Sequence, residues 1–301
     1  MRVGIDLGGT KIEAIAIDRE GRERYRRRVP APRGSYDATL AAIAALVGDV
    51  ERATGESARV GIGIPGSASL ATGLIRNANS TWLNGRPLPV DLERVLARPV
   101  RLENDANCFA LSEARDGAGA GATVVFGVIV GTGTGGGIVA NGRVLVGHNA
   151  VGGEWGHNPL PWPEPGEWPG PPCYCGRSGC IETFLSGPGL SREFAERGGG
   201  ERAALQIAAA AGAGDPRAIQ VIDLYIHRMA RALASVINLL DPDVIVLGGG
   251  LSNIEALYDR VPAIWHGWTF SDVVTTPLVR ACHGDASGVR GAAWLWDANE
   301  C

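Results

Sequence analysis

Three of the six cysteines, Cys173, Cys175 and Cys180, stand in C-x-C-x4-C spacing, and His157 lies sixteen residues before the first of them. Three thiolates and one imidazole make a closed tetrahedral donor set, the usual composition of a structural zinc site. The same residues could instead be a loop with three free thiols, or one disulfide and a spare cysteine. Gly176 and Gly179 favour the metal, because tight turns are needed to bring three thiolates round one ion. Two acids flank the set, Glu154 before the histidine and Glu182 after the last cysteine. An ion there pins both carboxylates, so the expectation is a binding surface shaped by zinc, with no chemistry at the ion.

Other residues suit phosphate chemistry. Asp-Leu-Gly-Gly-Thr-Lys at 6–11 is a strand running into a glycine turn. Gly8 and Gly9 let backbone N–H groups approach an anion, Thr10 adds a hydroxyl, and Asp6 is placed to hold a hydrated magnesium ion; a plain hairpin turn is the alternative reading. The spacing is not that of a Walker loop. A second turn, Gly131 to Gly137 with Thr132 and Gly133 at its head, repeats the strand–turn–strand pattern after another apolar run. Two such turns would grip a nucleotide from both sides. Gly248-Gly249-Gly250 follows a third apolar strand and lets backbone approach a flat group such as adenine and ribose. Asp105, in N-D-A-N at 104–107, has two readings: a helix N-cap, or a general base that accepts the proton of an attacking hydroxyl. The polar loop from Asn77 to Asn84 offers side chains that both donate and accept, which suits sugar hydroxyls.

The elements that must carry these groups follow from periodicity. Leu40, Ile43, Leu46, Val47 and Val50 recur at helical spacing, predicting a helix over 36–53 capped by Ser35. Strands are expected over 60–64, up to Leu102, over 123–130, over 138–140 and over 244–247. A helix is expected from about Ala106 to Arg115, with Cys108 in its core. Asp215 and Pro216 start the longest helix, over 216–240. Asn141-Gly142 closes a hairpin, and the stretch from Ser287 reads as a terminal helix. The Pro/Trp-rich stretch 159–172 reads as a stiff ordered loop. The arginine run from Arg22 to Arg28 reads as a solvated strand edge. His148, His227, His266 and His283 show no ligand spacing.

Composition sets the outer bounds. The chain has 301 residues, 45% hydrophobic and 20% charged, with a net charge of −4. Such a balance gives no electrostatic case for nucleic acid or an anionic membrane, and no apolar run approaches the roughly 20 residues of a bilayer span. The first residues run straight into a strand without a signal-peptide pattern, and clustered cysteines beside a histidine fit a reducing compartment. The expected location is cytoplasmic.

Taken together, DLGGTK at 6–11, GIGIPG at 61–66, NDAN at 104–107, GTGTGGG at 131–137, GEWGH at 153–157, CYCGRSGCIE at 173–182 and LGGG at 247–250 resemble the ROK family (repressors, open reading frames and sugar kinases) over the whole chain. Within it, NANSTWLNG, GEWGHNPLPW and SGVRGAAWLW look most like the bacterial fructokinases. The resemblance implies an α/β, actin-like ATPase (ribonuclease H-like) fold with two lobes around a cleft and a structural zinc site. The lobes would be residues 1–118, joined by a C-terminal helix over 287–301, and residues 119–286. It implies transfer from ATP, with Mg2+, to the 6-hydroxyl of fructose, with mannose as a second sugar, and Asp105 as base. Asn79, Asn104, Glu154, His157 and Glu182 would hold sugar hydroxyls, His157 serving zinc with one ring nitrogen and sugar with the other. Asp6, Gly8, Gly9, Thr10, Lys11, Gly131, Thr132 and Gly133 would meet phosphates and magnesium, and Gly248 to Gly250 the adenosine. A homodimer is expected by analogy. Glucokinase and N-acetylglucosamine kinase are alternatives within the family. A sugar-responsive repressor is expected to carry a winged helix-turn-helix before the first turn, for which a hairpin starting at residue 3 leaves no room. A zinc-knuckle binding module is the non-enzyme alternative.

Overall fold

The computed structural model describes residues 1–297. In chain order the elements are β1 Arg2–Leu7, β2 Lys11–Ile17, β3 Glu23–Pro30, α1 Tyr36–Thr54, β4 Arg59–Ile64, β5 Ser67–Ala68, β6 Ile75–Arg76, α2 Leu88–Leu96, β7 Val100–Asn104 and α3 Asp105–Asp116. They continue as β8 Val124–Val130, β9 Thr134–Ala140, β10 Arg143–Val144, α4 Ile181–Leu185, α5 Gly187–Phe194, α6 Ala204–Gly212, α7 Pro216–Leu240, β11 Val244–Gly248, α8 Ala256–Trp265, β12 Leu278–Arg280 and α9 Ser287–Ala293. Two compact units result. One comprises Met1–Gly121, Gly137–Gly152 and the chain from Cys282; the other comprises Ala122–Gly136 and Gly153–Ala281. Two five-stranded sheets, β3-β2-β1-β4-β7 and β10-β9-β8-β11-β12, give the α/β, actin-like ATPase fold.

In the first unit β1 pairs antiparallel with β2 and parallel with β4, so its carboxyl end opens directly into the first glycine turn. Val3, Ile5, Leu7 and Ile12 bury one face of the sheet against Leu40, Ile43, Val47 and Val50 of α1. The α1 cap is Ser35, whose hydroxyl accepts from the Ala38 N–H, and the helix ends on Gly55 at φ 70°. A glycine at that left-handed position avoids the Cβ clash another residue would suffer. On the opposite face Ile15 and Ile17 pack against Val289 and Ala293 of α9. Gly291 brings α9 so close to the backbone carbonyl of Cys108 on α3 that a Cβ would overlap it. The Trp296 indole N–H donates to the Val60 carbonyl at 2.8 Å, and the Arg2 Nε donates to the Trp296 carbonyl at 2.9 Å. β3 is the edge strand that carries the arginine run, and its Arg26 and Arg28 pair with the buried Glu13 of β2.

In the second unit β8, β11 and β12 run parallel. α7 is capped by Asp215, whose Oδ1 accepts from the N–H groups of Arg217 and Ala218. Its Val221, Ile222, Met229, Leu233 and Ile237 are buried. The segment 159–172 is fastened through Glu167, which is only 5% exposed. Arg228 Nε donates to it at 2.7 Å and Arg231 Nη2 at 2.8 Å, both from α7.

Several boundaries differ from the sequence reading. β7 runs on to Asn104, two residues past the expected end at Leu102. The cap of α3 is Asn104, whose Oδ1 accepts from the Ala106 N–H; Asp105 is the first helical residue and not the cap. β9 starts at Thr134, four residues before the expected Ile138. Its glycines are held by ladder hydrogen bonds, which need no side chain. α9 ends at Ala293, and the final residues of the expected helix over 287–301 lie outside the described residues.

Candidate functional site

The first unit gathers its acids at the carboxyl ends of β1 and β7. Asp6 is the last polar residue of β1 and stands directly across from Glu13 on β2. The turn beyond it is closed by the Gly8 N–H donating to the Lys11 carbonyl at 3.0 Å. Thr10 is exposed at the tip. Burial at the base of the turn, followed by the charges of Asp105 and Glu13, pushes Asp6 up from its ordinary 3.8 to about 6. Like charges so close resist joint ionisation, and a cation relieves them. Oxygen donors of this kind fit a hard ion such as magnesium, held with part of its water shell.

Asp105 is exposed at the first turn of α3, where the helix dipole favours its anion. Its Oδ1 accepts from the Ala106 N–H at 2.8 Å. Asn104 beside it also donates from Nδ2 to the Gly66 carbonyl at 3.2 Å, which fixes the side chain between two loops. Asn79 is exposed between buried Ala78 and Ser80. Its loop is latched by Asn84, which accepts from the Ala78 N–H and donates to the Ala78 carbonyl, each at 2.9 Å.

The second unit holds the cysteines and the second turn. Donor atoms of His157, Cys173, Cys175 and Cys180 all lie within 4.8 Å of one another. Cys175 and Cys180 sulfurs are 3.6 Å apart, and Cys173 Sγ is 3.6 Å from His157 Nδ1. Zinc–sulfur bonds of about 2.3 Å at tetrahedral angles set sulfurs roughly 3.8 Å apart, so the cluster has the size of one zinc ion. Its protonation chemistry agrees. Burial and the neighbouring thiols push Cys180 up to about 12, while Cys175, accepting from the Arg177 N–H, is held down at about 7. Three thiols in this space ionise together only around a cation.

Two acids adjoin the cluster. Glu154 is exposed and leads into the short 3-10 turn Trp155–His157. Glu182 sits in the first turn of α4, two residues past Cys180. Its Oε2 accepts from the Thr134 N–H of the second turn at 2.9 Å. That turn is also closed by the Gly131 N–H on the Gly133 carbonyl at 2.9 Å, and tied to α5 by the Gly187 N–H on the Gly131 carbonyl at 2.7 Å. Thr132 remains exposed. Gly248 ends β11, and Gly249 and Gly250 are exposed beyond it, Gly249 at φ 82°.

Two residues that the sequence reading passed over belong here. Tyr174, between the first two cysteines, sets its hydroxyl 2.9 Å from His157 Nε2 and its ring edge-on to the imidazole. The nitrogen expected to face sugar therefore meets a tyrosine. The C-Y-C spacing was the available signal, since any residue between two metal ligands is held near the fourth. Ser80 is 1% exposed, and its hydroxyl has no hydrogen-bond partner among the described residues while lying 3.3 Å from where a Cβ on Gly9 would stand. Nothing in its local pattern distinguishes it from a loop serine.

Two α/β units, each with a glycine turn at a strand end, are the frame of an actin-like phosphotransferase fold. The chain belongs to the ROK family, whose model matches residues 2–299. It is 40% identical over 299 residues to the N-acetyl-D-glucosamine kinase of Pectobacterium atrosepticum, covering 98% of each chain. Among solved structures it is similar to a ROK hexokinase from Thermus thermophilus, with 35% identity, TM-score 0.87, and 97% and 96% of the two chains covered. A ROK glucokinase from Streptomyces griseus, solved with glucose and AMPPNP, gives 30% identity and TM-score 0.76 over 98% of each chain.

Proposed function

We propose that the protein is an ATP-dependent hexose kinase that phosphorylates the 6-hydroxyl of N-acetylglucosamine. The observation that carries phosphoryl transfer is the acid pair at the first turn, Asp6 charge-coupled to Asp105 at the head of α3. One carboxylate is placed for a cation and the other for a proton. Asp105 accepts the proton of the 6-hydroxyl as that oxygen bonds to the γ-phosphorus, and ADP leaves with the electrons of the broken P–O bond. Magnesium held by Asp6 would neutralise charge on the phosphates. The N–H groups around Gly8, Gly9, Thr10 and Lys11 stabilise the same charge from the first unit, and those around Gly131, Thr132 and Gly133 from the second. Asn79 and Asn104 of the first unit, and Glu154 and Glu182 of the second, bind sugar hydroxyls, joined by His157 Nε2 once a sugar hydroxyl takes the place of the Tyr174 hydroxyl. Gly248 to Gly250 line the adenosine, and His157, Cys173, Cys175 and Cys180 would hold a zinc ion that keeps the acids beside it in place.

The choice of sugar is supported by relatives matching end to end at about 40% identity and bearing the N-acetyl-D-glucosamine kinase name. Fructose rested on three short stretches of likeness, and N-acetylglucosamine displaces it as the first reading.

The test is ADP release with Mg-ATP on N-acetylglucosamine, glucose, mannose and fructose, in the native protein and in Asp105→Ala. The highest kcat/KM is expected on N-acetylglucosamine, with turnover lost in the variant. A highest value on fructose overturns the substrate. Silence on every sugar from zinc-loaded, folded protein overturns the kinase.

A further inference from the structure

The turn that faces phosphate and the acid that faces sugar are in direct contact within the second unit. Glu182 Oε2 accepts the Thr134 N–H at 2.9 Å. A Cβ on Gly133 would stand 2.6 Å from the same oxygen, so only glycine leaves the carboxylate its seat. Gly156, between Glu154 and His157, lies against the Thr134 carbonyl so closely that a Cβ would overlap it. Gly187, just after α4, donates to the Gly131 carbonyl at 2.7 Å. The turn is thus gripped on three sides by the segments that flank the metal cluster. Oε1 of Glu182 has no hydrogen-bond partner among the described residues.

We infer that Glu182 is a shared carboxylate, which positions the second glycine turn through the Thr134 N–H with one oxygen and takes a sugar hydroxyl with the other, so that sugar and nucleotide each change the affinity for the other. This rests on the reading of Glu182 as a sugar ligand. A carboxylate that settles on a hydroxyl draws its other oxygen, and the N–H bonded to it, into a fixed place. A turn ordered by phosphate orders the carboxylate in return. Linkage requires the two effects to be equal, whatever the path.

The experiment is calorimetric titration of the full zinc-loaded chain with N-acetylglucosamine and with AMP-PNP, each alone and in the presence of the other. In the native protein each ligand should tighten the other by the same factor, on the order of tenfold. Gly133→Ala, on the phosphate side, should weaken sugar binding measured without nucleotide, by about tenfold, with zinc content unchanged. Glu182→Asp, one methylene too short to span both partners, should weaken AMP-PNP binding measured without sugar. Gly133→Ala with sugar affinity within about twofold of native overturns the coupling, as does Glu182→Asp with unaltered sugar-free AMP-PNP affinity. A native protein that binds AMP-PNP and no sugar overturns the functional reading instead, and does so before either variant is made.

Discussion

The two glycine turns use nearly the same residues, Gly-Gly-Thr in one and Gly-Thr-Gly-Thr in the other, yet they are held in different ways. The first is closed by one backbone bond of its own, from Gly8 to Lys11, and is surrounded by carboxylates: Asp6 beneath it, Glu13 across the strand, and Asp105 coupled by charge. The second is moored to Glu182 in the first turn of α4 and to Gly187 just beyond that helix, directly after the cysteine cluster. A motif that binds phosphate by backbone N–H groups needs rigidity and a balance of charge. The first turn is organised round the charge and the second round the rigidity. The first should therefore answer to divalent cation and proton, and the second to zinc.

The largest effect expected is at the first turn. Asp105→Ala should lower kcat by about 10²–10⁴ while leaving zinc content and melting temperature as they were; steady-state rates and metal analysis check it. A variant that also lost zinc would break the separation. Next comes Cys180→Ser, or removal of zinc by a chelator. Either should lower the melting temperature and weaken sugar binding by about tenfold or more, since Glu182 leads directly out of Cys180. Sugar binding that survives zinc loss would show the mooring to be idle.

Asp6 tests the first turn by pH. Its folded pKa of about 6 lies above the ordinary 3.8, so its contribution to stability is fully present below about pH 4 and is lost as pH rises through 6. Melting of the magnesium-free protein should show that decline, and Asp6→Asn should flatten it. In the same window protons compete with magnesium, so magnesium affinity should fall as pH drops below about 6. The smallest effect is expected at Tyr174. Tyr174→Phe removes the hydroxyl beside His157 Nε2 and should change sugar affinity by only a few-fold, roughly one neutral hydrogen bond, with zinc retained. A hundredfold change would make the tyrosine a main determinant of sugar binding.

Local signals in the sequence carried far where the physics is local. The spacing of Leu40, Ile43, Val47 and Val50 with Ser35 ahead of them specifies α1, and Asp215-Pro216 specifies the start of α7. The clustering of His157, Cys173, Cys175 and Cys180 was legible because residue type and spacing nearly suffice to bring a tetrahedral donor set together. The head of α3 was harder, since Asn104 and Asp105 are both good caps and only the backbone at Asn104, extended at φ −61° and ψ 147°, decides between them. Long-range partnerships left no trace at all. Glu167 meets Arg228 and Arg231 more than sixty positions away, and Glu182 meets Thr134 forty-eight positions back. Sugar identity was illegible for another reason: of the stretches that suggested fructose, two lie in loops and one in α9, which packs on the first sheet, and relatives with different substrates share that scaffold.

The seat of α9 bears on how the molecule is made. The helix fits onto α3 because Gly291 lets it lie against the Cys108 carbonyl, and onto the sheet because Gly4 and Gly61 leave room for the Val289 and Ala292 carbonyls, while Trp296 and Arg2 fasten its far end. In the first unit β1 and β2 therefore depend on a helix that is made long after them, while every element of the second unit is made in between. During synthesis the nascent first sheet waits with Ile15 and Ile17 uncovered, and that waiting time, set by the length of the intervening chain, is when chaperones have most to protect.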